Sequence, residues 1–95
     1  MPEQLEDGVY AYGDKQYQIV HEGTVYNTDS SEFLGCLPVF GGTIELYKDS
    51  ENGYFTMTFS HDPSKKPAFG RLPEKTAMLW AKGIERYWET KQNEM

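Results

Sequence analysis

Cys36 is the only cysteine in these 95 residues. An intramolecular disulfide is therefore excluded, and a reducing compartment is the setting that one unpaired thiol fits. Long apolar runs are missing as well. No stretch approaches the roughly 18 apolar residues of a membrane-spanning helix, and residues 1–10 lack the apolar centre of a secretory leader. The expectation is a soluble, cytoplasmic protein with no membrane partner. Basic side chains are scarce: nine Lys and Arg face fifteen Asp and Glu, for a net charge of −6. A chain so charged has no broad attraction for phosphate backbones or anionic lipid, so nucleic acid is disfavoured as a partner.

Catalytic and cofactor motifs are lacking too. The glycine-rich run Leu34-Gly35-Cys36-Leu37-Pro38-Val39-Phe40-Gly41-Gly42 has no lysine to reach a phosphate and no Gly-Lys-Ser/Thr ending, so it is not a phosphate loop. The two histidines, in His21-Glu22 and His61-Asp62, are joined by no metal-ligand spacing. Cys36 would need a histidine or a helix N-terminus beside it to act as a nucleophile. The expectation is no metal, no cofactor and no enzymatic activity.

What is present is enough for one small folded domain. Hydrophobic residues make up 38% of the chain and aromatics 15%, with seven tyrosines, above the level at which a chain stays disordered. The balance of charge is uneven. Residues 1–47 hold one basic side chain, Lys15, against eight acids, while the remainder is close to neutral. An acidic tail over residues 1–7 precedes a single domain over 8–95.

Along that domain, residues 9–12, 16–20 and 24–27 are short β-prone runs separated by Gly13-Asp14 and Glu22-Gly23, a three-stranded meander. Residues 28–32 read as a polar loop. Residues 34–42 mix apolar side chains with Pro38 and three glycines, a pattern for an edge strand, a bulge or an ordered loop. The strongest strand signal follows: Ile44 and Leu46 alternate with polar neighbours, as do Phe55, Met57 and Phe59, with Asn52-Gly53 between them. That is a β-hairpin. Residues 60–72 read as a polar connection, and from Pro73 a helical period sets in to Gln92. Ala77, Trp80, Ala81, Ile84 and Trp88 form its buried stripe. The predicted fold class is α+β: an antiparallel sheet of about five strands, with Ile44, Leu46, Phe55, Met57 and Phe59 forming the floor beneath Trp80, Ile84 and Trp88 of one C-terminal helix.

Function rests on surfaces. The acids Asp14, Glu22 and Glu45 stand for the negatively charged first half, a face suited to a basic groove on a protein partner, in the manner of small phage-type inhibitors. Leu37, Val39 and Phe40 form an apolar loop for a partner to cover. On the helix, Thr76, Leu79, Gly83 and Tyr87 line a second ridge beside the buried stripe. A glycine in mid-helix costs about 1 kcal/mol against alanine, and a contact that closes on Gly83, most simply a homodimer, accounts for it. The sequence therefore suggests a non-catalytic protein-binding module, an adaptor or inhibitor. The alternative is nucleic-acid or small-ligand binding through the basic loop 60–72, with Lys65, Lys66, Phe69 and Arg71, and through the tyrosines.

Overall fold

The computed structural model describes residues 6–13 and 16–93. The first three strands, β1 (Gly8–Gly13), β2 (Gln16–His21) and β3 (Thr24–Asn27), pair in order as an antiparallel meander. Four more, β4 (Glu32–Val39), β5 (Gly42–Asp49), β6 (Gly53–Ser60) and β7 (Ala68–Leu72), form a second antiparallel sheet, also in sequence order. The chain closes with α1 (Glu74–Asn93), which opens after Pro73 as the Pro73 carbonyl accepts the Ala77 N–H. The class is α+β, with seven strands in two sheets where the sequence suggested about five in one. No helix among the described residues is long and apolar enough to cross a membrane.

The four-stranded sheet is the middle layer. The β5–β6 register sets Leu46 opposite Thr56 and Tyr47 opposite Phe55, and paired residues share a face. Tyr47, Phe55 and Met57 thus point one way and pack with Ile19 and Tyr26 of the meander. Leu46 points the other way and packs with Ala77 and Ile84 of α1, flanked by Leu34, Leu37, Tyr54, Leu72 and Trp80. This corrects the single floor expected beneath the helix. The hairpin's two apolar rows fall on opposite faces, because pairing fixes the register and an odd offset between the rows separates them. The aromatic face, with Phe55 stacked on Tyr47 at 5.2 Å and tilted against Tyr26 at 5.3 Å, needs its own cover. The meander supplies it.

Two segments without a clean strand pattern are strands, the first of them in the edge-strand and bulge form that the sequence allowed. Residues 34–39 belong to β4, an edge strand with a bulge at Leu34, between the Phe33–Tyr47 and Gly35–Leu46 pairs. Gly35 has φ +143° there, and a Cβ on it would lie 2.7 Å from Ile84 Cγ2, so the bulge and the missing side chain together let α1 close on the sheet. Residues 68–72, placed in the polar connection, form β7 on the far edge. Trp88 also departs from expectation. It is 42% exposed and lies along the β4 edge, with its indole N–H donating to the Cys36 carbonyl at 2.8 Å.

Of the acidic tail expected over residues 1–7, Met1 to Leu5 lie outside the described residues. Asp7 is engaged with the meander, its carboxylate accepting the Glu22 amide N–H at 3.1 Å.

Candidate functional site

The β4–β5 turn projects Phe40 into solvent. Its exposure, 108%, is the highest among the large apolar side chains of the described residues, and its neighbour Val39 is exposed too. Gly41 takes the positive φ of 80° that turns the chain, and its carbonyl accepts the His61 N–H at 2.8 Å. That bond ties the turn to the loop after β6. Phe40 is thus displayed on a fastened turn.

The loop it is tied to is itself organised. Ser60 Oγ accepts the Asp62 N–H at 3.0 Å. Asp62 Oδ1 accepts from the Ser64 hydroxyl at 2.7 Å and from the Ser64 N–H at 3.0 Å, which holds the Asp62 carboxyl below the usual carboxylate range. The Lys65 N–H then donates to the Asp62 carbonyl at 3.1 Å. These bonds set Lys65 and Lys66, both exposed, beside the tip. Between tip and loop lies a groove of about 330 Å³ lined by Val39, Phe40, Phe59, Lys65, Lys66 and Ala68. A second hollow of about 360 Å³ continues past the lysines over Phe59, Tyr17, Pro63 and Pro67.

Strand pairing brings these residues together across a wide gap in sequence. Thr43 is paired with Phe59 on one side of β6, and Thr58 with Ala68 on the other. The apolar loop and the basic loop, two features of the sequence, are the two walls of one groove. Leu37 and Phe69 are turned elsewhere. Leu37 packs toward the helix, half-buried against Leu46, Ala77 and Ile84. Phe69 packs into the aromatic core, 5.1 Å from Tyr26 and 5.7 Å from Phe55, and so does not stand beside the lysines as an open stacking surface. Arg71 is exposed on β7.

Of the three acids singled out, the two among the described residues, Glu22 and Glu45, stand apart. Asp14 lies outside the described residues. Glu22 is at the β2–β3 turn, where it adopts φ +49°. Glu45 lies on β5, two strands away from Phe69, which the adjacent His21 ring contacts at 5.2 Å. At the usual strand spacing this is about 10 Å of sheet between Glu45 and the flank that carries Glu22. Glu45 is also occupied: its carboxylate accepts the Tyr47 hydroxyl at 2.6 Å. Burial, reinforced by that bond, pushes the Tyr47 phenol well above its ordinary pKa.

On α1, Leu79 is 70% exposed, Gly83 is exposed with nothing within 4 Å of a Cβ built on it, and Tyr87 is half-buried with its ring edge-on to Trp88 at 5.0 Å. Cys36 is half-buried on β4. Among the described residues no three His, Cys, Asp or Glu side chains gather as metal ligands do. Sequence reasoning missed the tie between Gly41 and His61 and the self-bonded loop. The Ser-His-Asp-Pro-Ser run carried a signal for the loop, since Asp and Ser side chains bond to backbone two residues away. The chain matches no family model, and no curated protein or solved structure resembles it closely enough to match.

Proposed function

We propose that this is a non-catalytic protein-binding module, an adaptor or small inhibitor, that engages its partner through the β4–β5 tip and the groove behind it. One observation carries the reading: a phenylalanine is held fully in water on a turn fastened by the Gly41–His61 hydrogen bond. Exposing so large a ring forgoes about 1.5 to 3 kcal/mol of burial. An aromatic anchor presented at low entropic cost recovers that energy in a partner's pocket. Lys65 and Lys66 on the rim favour a partner with carboxylates beside the pocket. The net charge of −6 works against wholesale attraction to nucleic acid, and a cytoplasmic setting accords with the single cysteine. The ridge of exposed Leu79 and Gly83 with half-buried Tyr87 is a second surface in this proposal, suited to a homodimer across a twofold axis.

Affinity capture from native extract with the wild type and Phe40→Ser side by side tests the reading. A protein retained by the wild type and lost with Phe40→Ser, at unchanged melting temperature, supports it. Identical capture by both contradicts it. A nucleic-acid reading has Phe40 beside the two lysines in its favour. Salt-dependent binding of single-stranded DNA, abolished by Lys65→Glu/Lys66→Glu, would displace the first reading.

A further inference from the structure

The two outer edges of the four-stranded sheet differ in what they leave open. The Gly41–His61 hydrogen bond lies in register with the β5–β6 ladder. Hydrogen-bonded pairs alternate along an antiparallel ladder, so Thr43–Phe59, Glu45–Met57 and Tyr47–Phe55 are the bonded pairs. Two consequences follow. On β5, residues 42, 44 and 46 turn their backbone groups to β4, which leaves Cys36 and Pro38 facing outward on that edge. On β6, residues 54, 56 and 58 bond to β7, which leaves Phe69 and Arg71 facing outward on the other.

The β4 edge is blocked: Pro38 has no N–H to offer, the Cys36 carbonyl is taken by the Trp88 indole, and the bulge at Leu34 breaks the repeat. These are the means by which sheets close an edge. The β7 edge has none of them. It contains no proline, its register with β6 is unbroken from Ala68 to Leu72, and no described residue bonds to the outward N–H and C=O groups of Phe69 and Arg71.

We infer that β7 is a strand-addition site that takes an extended, acidic peptide segment of a protein partner. The outward groups of Phe69 and Arg71 are two residues apart, the spacing at which an added strand bonds. Beside Phe69 opens a cleft of about 290 Å³ lined also by Val9, Ile19, Val20 and His21, so alternate side chains of the added strand have an apolar place to go. Asp7 lies at that cleft too, with its carboxylate on the Glu22 amide. The cations along the edge are Arg71 within the strand and Lys65 and Lys66 before it, the two lysines also lining the groove behind Phe40. Of the nearby carboxylates Asp62 is turned onto Ser64, Asp7 is held on the Glu22 amide, and Glu22 lies 3.9 Å from His21 Nε2. A second copy of β7 would bring the same positive charge, so the occupant is an acidic segment and not this chain itself. The inference rests on the protein-binding reading only in taking the ligand to be a peptide. Its strand residues, Phe69 and Arg71, are not those of the Phe40 tip, and only Lys65 and Lys66 are common to both.

The test is an amide-resolved titration of the full chain with the blocked octapeptide (Glu-Val)4, and with (Lys-Val)4 for comparison. The acidic peptide is expected to shift the Phe69 and Arg71 amides and slow their hydrogen exchange. Arg71→Ala should weaken it about threefold through lost charge, and Arg71→Pro about tenfold or more by also removing an outward donor while sparing the ladder to β6. An unchanged amide spectrum away from β7 verifies that the proline variant folds. No shift at millimolar peptide, shifts confined to α1 or to the β4–β5 tip, equal binding of the lysine peptide, or Phe69 and Arg71 amides already protected in a self-associated wild type would each overturn the inference. Partner capture that survives Arg71→Pro but fails with Phe40→Ser sinks strand addition alone, and the reverse sinks the tip.

Discussion

Gly35 on β4 and Ile84 on α1 approach so closely that a single added Cβ would come within 2.7 Å of the isoleucine Cγ2. The helix can lie on the sheet only because the bulged strand has no side chain at that point. Gly35→Ala is expected to destabilise the fold by about 2 kcal/mol or more, from the positive φ and the overpacking together. A chemical denaturation curve measures it. A loss below about 0.5 kcal/mol would mean that the helix does not depend on this contact.

Trp88 acts at the β4 edge, outside the core. Trp88→Phe removes the hydrogen bond to the Cys36 carbonyl and should cost about 1 kcal/mol. Trp88→Ala should cost about 2 kcal/mol, short of the roughly 3 to 5 kcal/mol of a buried aromatic truncation. The same denaturation experiment separates the two. A full core-sized loss would place the indole inside.

Tyr47 predicts the alkaline limit of stability. Burial and the bond to Glu45 raise its pKa in the folded state, so the folded protein holds that proton more tightly than the unfolded chain. The contribution is whole below about pH 10, the ordinary tyrosine value, and is lost as pH rises from there through the folded value. Tyr12, raised to about 12 by its bond to Asp29, adds to the slope in the same direction. Melting temperature should be flat from pH 8 to about 10 and fall above it, less steeply in Tyr47→Phe. An identical alkaline fall in that variant would remove Tyr47 from the account.

Gly83 has open space around it, so Gly83→Ala should stabilise the monomer by up to about 1 kcal/mol. If α1 pairs with a second copy over this ridge, Gly83→Leu dissociates the pair and leaves the monomer folded. Sedimentation at several concentrations reads both. A wild type that stays monomeric into the high micromolar range would remove the homodimer.

Much of the fold was legible from local pattern. The meander showed itself through turns at Glu22-Gly23 and alternation at Tyr17 and Ile19, and α1 through its period. The layer order was not legible, because Leu46 and Phe55 each mark an apolar face and only the pairing register shows that the two faces are opposite. Strand β7 was hidden by composition: Ala68-Phe69-Gly70-Arg71-Leu72 follows a proline-rich loop and alternates weakly. Strand β4 was legible only as one of several alternatives, since Pro38 and the glycines fit an edge strand, a bulge or an ordered loop alike, and the pairing with β5 joins the first two. At the candidate site, Phe40 and Lys65 are 25 residues apart. No local pattern joins them; β5, β6 and β7 do.

The tip itself can be interrogated directly by placing a photo-crosslinking benzoylphenylalanine at position 40, and in a parallel protein at position 79, then irradiating each in native extract. The account predicts one discrete protein adduct at position 40, diminished when Lys65 and Lys66 are both changed to Glu. Adducts at position 79 with none at position 40 would contradict it.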